Sequence, residues 1–315
     1  MSIHRNAFHD PARRRVLHLL AAAPALLTMT APIHASTSAS HVTRPIPRGG
    51  EALPVIGLGT WRVFDVGNDA AARTRLREVL SLFSAGGARL IDSSPMYGTS
   101  EAVVGDLSAA LGLRARLFLA TKVWTQGRTD GIAQMERSMQ RMQAGATLDL
   151  IQVHNLVDVA THTKTLADWK ARGRVRYVGI THYTASAHDA LERWLKTGDY
   201  DFVQINYSLG EPEAAARLLP LAQDKRTAVI VNRPFGEGGM FARVRGKPLP
   251  GWAAELGIAS WGQYFLKWIL GHPAVTCVIP GTGNPKHMAD NLRAGVGSLP
   301  DEATRTRMAK HFDSL

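Results

Sequence analysis

The sequence predicts a closed (β/α)8 barrel built as one domain. Short apolar strand candidates alternate with helical segments, and the alternation runs to eight of each between residues 55 and 294. The strands are apolar throughout instead of at every second position, as expected when both faces are buried. Eight such units in roughly 250 residues match the size of this barrel. A doubly wound open sheet is the competing architecture.

Each element has its own signal. Residues 55–60 form the first strand, and 71–84 carries helical spacing through Leu76, Val79, Leu80 and Phe83. Strand 89–94 and helix 100–111 follow, then strand 117–123, helix 131–143 and strand 148–154. Helices 164–172 and 187–196 each stop at a glycine, Gly173 and Gly198, and strand 177–181 lies between them. Strand 202–207, helix 213–222 and strand 228–232 continue the series. Residues 236–257 are too many for an ordinary connection, which points to a functional loop, with a disordered surface excursion as the plainer alternative. Helix 260–270, strand 275–279 and helix 285–294 close it, the last with Asn284 as N-cap and Pro285 at the first helical position.

Ahead of the barrel the chain has a different character. Arg13, Arg14 and Arg15 precede a mostly apolar run from residue 19 to 33, and Ala35 or Ala39 suits the end of a cleavage site. Residues 1–39 therefore read as a signal peptide of the twin-arginine type, implying export machinery as a partner and a periplasmic location. A disordered basic tail or an uncleaved anchor is the plainer alternative. The run is too short and too rich in Pro and Ala for stable membrane insertion. Residues 40–51 read as a polar linker and 52–315 as the barrel.

The formal charge of +11 falls to +8 without the leader, and the remaining basic residues form no aromatic-interleaved stripe. Nucleic acid is not expected as a partner; an anionic cofactor explains the charge. Cys277 is the sole cysteine, so no internal disulfide exists, and its place beside Val275 and Val278 predicts a buried strand thiol.

A barrel carries its reactive side chains at the carboxyl ends of its strands. Asp92 ends the second strand with Tyr97 in the following loop, Lys122 lies near the end of the third, and His154 ends the fourth. Singly, these read as a turn cap, a packing aromatic, a surface charge and a core histidine. Together, at the ends of three neighbouring strands, they form a proton-transfer site. A phenol with pKa of about 10 is a poor acid, and a nearby cation lowers that value. Lys122 would supply the cation, Asp92 would keep it charged, and His154 would orient a carbonyl oxygen toward Tyr97. With a bound hydride donor such a site reduces carbonyls.

On these residues the chain resembles the aldo-keto reductase superfamily. The resemblance spans residues 52–295 and also includes Gly57-Leu58-Gly59-Thr60-Trp61, Gly179-Ile180-Thr181-His182, Gln204-Ile205-Asn206-Tyr207 and Val278-Ile279-Pro280-Gly281-Thr282. It places the family's catalytic tetrad on Asp92, Tyr97, Lys122 and His154, with Tyr97 as general acid. It implies NADP(H) lying extended across the barrel mouth, and no strand-linked G-x-G-x-x-G is present. Gln204 matches a nicotinamide-contacting position, Thr181 and His182 replace the usual Ser-Asn pair, and Asn232 stands where many members stack an aromatic ring. Thr60, Trp61, Pro234, Gly236 and Pro280 complete the expected cofactor surface, and Trp61 also suits the substrate pocket. Gly281 and His287 replace the usual lysine and arginine at the 2′-phosphate, leaving Thr282, Lys286 and the helix start at Asn284 to hold it. Asp290 and Asn291 match adenine-contacting positions, and Arg243, Arg245 and Lys247 are expected over the pyrophosphate. NADP(H) is thus favoured, with NAD(H) possible. The expected activity is reduction of a small aldehyde or ketone; the alternative is a low-turnover cofactor-binding sensor or partner protein on the same barrel.

Overall fold

A computed structural model of the chain describes residues 41–315. The expected leader, residues 1–39, lies outside the described residues. No helix among the described residues is long and apolar enough to cross a membrane.

The first described element differs from the expected linker. Strands β1 (Thr43–Pro45) and β2 (Ala52–Pro54) pair antiparallel, with Thr43 opposite Pro54. The hairpin turns at Gly50, whose φ of +70° suits glycine. Ile46 and Leu53, both fully buried, pack with Leu90, Phe118, Tyr177 and Phe202 near the amino ends of the barrel strands. The segment is a plug for the bottom of the barrel. Arg44 fastens it by donating to the carbonyls of Leu270 and His272 at 2.6 and 2.8 Å, and also to that of Val275.

Among the described residues eight parallel strands form the barrel: β3 (Leu58–Gly59), β4 (Leu90–Asp92), β5 (Phe118–Val123), β6 (Leu148–His154), β7 (Val175–Thr181), β8 (Phe202–Asn206), β9 (Ala228–Asn232) and β10 (Val275–Val278). Each pairs with the next in sequence. Hydrogen bonds from Gly57 N to Val278 O and from Val278 N to Val55 O, at 2.8 and 2.9 Å, join the first and last strands. At that seam a Cβ on Gly59 would stand 2.9 Å from the Ile279 carbonyl, so close approach of the two backbones requires glycine there. Cys277 is fully buried inside the barrel, and burial pushes its thiol up in pKa.

The outer layer comprises α1 (Ala70–Ala85), α2 (Ser100–Ala110), α3 (Arg128–Arg141), α4 (Val159–Ala171), α5 (His188–Thr197), α6 (Leu218–Asp224), α7 (Gly239–Arg243), α8 (Trp261–Leu270), α9 (Pro285–Arg293) and α10 (Glu302–Asp313). The α1 face bearing Leu76, Val79, Leu80 and Phe83 is buried, as its spacing requires. The expected helix 213–222 is instead a 3-10 turn, Glu213–Ala216, followed by α6. Pro220 explains the break. A helix beginning at 213 would carry proline in its interior, whereas one beginning at Leu218 holds it in the first turn, where its missing N–H costs nothing. The last helix, α10, lies beyond the expected elements. It packs on α8, with Tyr264 Oη donating to Met308 O at 2.9 Å and Arg305 Nε donating to Trp268 O at 2.9 Å.

Candidate active site

The barrel brings the four expected side chains to one rim. Register places Asp92 beside Ala120 on β5, and Lys122 beside Gln152 on β6, two residues before His154. Lys122 is fully buried, and its Nζ donates to Asp92 Oδ2 at 2.6 Å and to the Ser93 carbonyl at 2.7 Å. The opposite carboxylate oxygen, Asp92 Oδ1, accepts from Gln204 Nε2 at 2.9 Å and Gln152 Nε2 at 3.2 Å. A buried carboxylate with three donors and a buried ammonium with two acceptors satisfy the condition under which such a pair persists.

Tyr97 stands above this pair. Lys122 Nζ lies 5.1 Å from the centre of its ring, and the His154 ring meets it edge-on at 5.8 Å and 83°. The turn holding Tyr97 is closed by its own N–H donating to Ser94 O at 3.0 Å. Gly98 follows with φ +57°, and a Cβ there would strike the Asp65 carboxylate. That carboxylate accepts from the Thr99 N–H and hydroxyl, both at 2.8 Å, and so ties the loop after β3 to the loop after β4.

Three proton affinities depart from their ordinary values. Lys122 does pull the Tyr97 pKa down, but burial pushes it up more strongly, so the phenol lies above its ordinary value. This corrects the expectation of a lowered phenol, because desolvation of the phenolate outweighs the cation. Lys122 is itself raised: burial opposes its charge, yet Asp92 and Tyr97 together favour it more. Burial, with help from Lys122 and His182, pushes the His154 imidazole down to about 2. At neutral pH the cluster therefore holds a protonated phenol, an ammonium and a neutral imidazole, a set able to donate a proton and a hydrogen bond to one oxygen.

The remaining expected residues divide. Thr60 is buried, its N–H donating to Asp92 O at 3.1 Å and its hydroxyl to Ser93 Oγ at 2.9 Å, while neighbouring Trp61 is exposed beside Arg62. Thr181, His182, Gln204 and Asn232 gather around one amide. Gln204 Oε1 accepts from Thr181 Oγ1 and Asn232 Nδ2, both at 3.3 Å, and Asn232 Nδ2 also reaches His182 O at 3.1 Å. Both ends of the Gln204 amide are thus engaged by the protein. Pro234 and Pro280 are buried, and Gly236 holds φ +53°.

Across the mouth, Asn284 caps α9, while Lys286 and His287 are exposed in its first turn. Thr282 Oγ1 accepts the Asn284 N–H at 3.0 Å and so shapes the turn. Asp290 accepts from Ser260 Oγ and Gln263 Nε2, both at 2.6 Å, and Asn291 is buried. Arg243 and Lys247 do not stand free over the mouth. Arg243 donates to Asp313 O at 3.0 Å with its guanidinium over Phe312, and Lys247 donates to Leu315 O. The carbonyl end of α10 attracts them as any helix C-terminus attracts cations; Arg245 is exposed.

Gln152 and Ser94 were missed as site residues. Both carried a signal, since Gln152 is two residues from His154 and Ser94 two from Asp92, the spacing that puts extended residues on one face. No group of three or more His, Cys, Asp or Glu side chains among the described residues is arranged to hold a metal.

A parallel eight-stranded barrel with a buried carboxylate, ammonium and neutral imidazole and a half-buried phenol at its carboxyl mouth is the arrangement of an oxidoreductase of carbonyl compounds. The chain belongs to the Aldo/keto reductase family, whose model matches residues 55–309. It is 31% identical to Methylglyoxal reductase YeaE of Escherichia coli (strain K12), over 77% of this chain and 86% of that protein. It is 25% identical to the NADH-specific methylglyoxal reductase of the same organism, over 86% of this chain and 99% of that protein. Among solved structures, an aldo-keto reductase from Klebsiella pneumoniae in complex with NADPH matches with a TM-score of 0.70 at 25% identity, covering 84% of this chain and 92% of that one.

Proposed function

We propose that the protein reduces an aldehyde or ketone to an alcohol with NADP(H), Tyr97 being the general acid. The observation that carries this reading is the Asp92–Lys122–Tyr97–His154 cluster at the carboxyl ends of β4 to β6. The cofactor fits the residues present. Asn232 Oδ1 is a buried acceptor with no partner, beside Gln204 and His182, suited to an amide N–H. Lys286, His287 and an α9 first turn free of acids suit a phosphate. When bound, the reduced nicotinamide supplies hydride to the carbonyl carbon.

The side chains do the rest. His154, uncharged, donates a hydrogen bond that points the carbonyl oxygen at Tyr97. Tyr97 gives its proton to that oxygen, and Lys122 stabilises the phenolate left behind. Asp92, held by Gln152 and Gln204, keeps the ammonium charged and aimed. The resemblance to a protein in complex with NADPH favours NADP(H), and the NADH-specific relative keeps NAD(H) as the other candidate. Titration of the purified protein with NADPH and NADH, followed by oxidation of the bound cofactor with a panel that includes methylglyoxal, tests the reading. Failure to bind or oxidise either cofactor would end it.

We also propose export to the periplasm through the paired arginines of the leader, the cofactor being loaded before translocation. Fractionation of the tagged full-length protein beside an Arg13→Lys/Arg14→Lys version checks this; equal cytoplasmic retention of both would refute it.

A further inference from the structure

We propose that Ser94 is a positioning residue that fixes the tautomer of His154, holding the hydrogen on Nε2 and leaving Nδ1 as an acceptor. Ser94 Oγ and His154 Nδ1 lie 3.0 Å apart, with both residues buried. One hydrogen occupies that contact. It belongs either to the hydroxyl or to the ring, and the surroundings decide which.

Ser94 Oγ also accepts the Met96 N–H at 3.4 Å. That bond uses a lone pair and turns the hydroxyl hydrogen toward the imidazole. Among the described residues, His154 Nδ1 is the only acceptor that the Ser94 hydroxyl meets. If the ring carried its hydrogen on Nδ1 and donated to Oγ, the hydroxyl hydrogen would be buried with no partner. With the hydrogen on Nε2, every polar hydrogen here has an acceptor or reaches the mouth.

The ring's other nitrogen completes the case. His154 Nε2 bonds to no described residue and is not among the buried unpartnered atoms, so it opens to the mouth beside Tyr97. Burial and the Lys122 charge keep the ring neutral, so it has one hydrogen to place, and the tautomer alone decides whether it offers a donor there. Ser94 thereby converts a neutral imidazole, which could face a substrate oxygen with a lone pair, into one that faces it with an N–H. The role in turnover rests on the carbonyl-reductase reading; the tautomer itself does not.

The test is nitrogen-15 NMR of the histidine rings in the full-length protein at neutral pH, with a His154→Asn variant assigning the His154 signals. Wild type should show a pyrrole-type Nε2 and a pyridine-type Nδ1. Ser94→Ala should lose that polarisation toward a tautomer mixture, and Ser94→Thr, which restores a hydroxyl, should recover it. In turnover Ser94→Ala should lower kcat about two- to tenfold, the worth of one hydrogen bond, with cofactor affinity unchanged. A merely structural role would reduce activity without moving the ring signals. A pyrrole-type Nδ1 in wild type, or ring signals unchanged in a Ser94→Ala protein of native circular dichroism, would overturn the proposal. Absence of carbonyl reduction by wild type would count against the reductase reading and leave the NMR result to stand or fall alone.

Discussion

Replacing Lys122 with methionine isolates the charge at the centre of the cluster, because the two side chains have similar length and differ mainly in the ammonium. Lys122 is fully buried, and its Nζ makes two short hydrogen bonds, to Asp92 and to the Ser93 carbonyl. Methionine leaves the Asp92 carboxylate buried without a counter-charge, a loss of about 3–5 kcal/mol. The two amide donors from Gln152 and Gln204 remain on Oδ1, so the lower end, about 3 kcal/mol, is expected. Asp92→Asn in the same background removes the stranded charge while keeping Oδ1 for those amides. The double variant should therefore recover about 2 kcal/mol, giving a coupling energy within the range for side chains in contact. Urea unfolding of wild type, both single variants and the double variant measures this cycle. Additive losses, with the double variant less stable than Lys122→Met, would refute the claim that the two groups act as a buried pair.

The proton affinities set a pH profile. The Tyr97 phenol is raised by burial, so it stays protonated through neutral pH, and reduction should hold a plateau there and fall only in alkaline solution beyond the ordinary phenol range. His154 is held down to about 2, so no limb should appear near the ordinary histidine value; kcat/KM against pH checks both, and a limb near pH 6.5 that His154→Gln abolishes would refute the assignment. At the other end of the barrel, Ile46→Ala opens space beneath the fully buried interior and should cost about 2–5 kcal/mol. Cofactor affinity should not move, since the plug lies at the amino ends of the strands; equal stability of variant and wild type in thermal unfolding would show that the hairpin is only a tether.

The alternation of apolar strands and amphipathic helices made the barrel legible, because burial on both strand faces leaves a direct mark on residue choice. The tetrad was legible for a related reason, since Asp92, Lys122 and His154 interrupt those apolar runs at their ends. The plug was hidden because strands of three residues, rich in proline and arginine, carry no periodicity; only packing of Ile46 and Leu53 under the barrel defines them. The break before α6 was readable from Pro220, whose effect depends on where the helix starts. Neither the rise in the Tyr97 pKa nor the capture of Arg243 and Lys247 by α10 has a local signature. The first depends on how much solvent the fold removes, and the second on a helix whose docking is tertiary.

Proton donation by Tyr97 is tested by turnover of Tyr97→Phe, which keeps the ring against His154 and removes only the hydroxyl. The variant should bind NADPH as wild type does and lose about 10²- to 10⁴-fold in kcat for carbonyl reduction. Turnover within a few-fold of wild type at unchanged cofactor affinity would show that Tyr97 is not the proton donor.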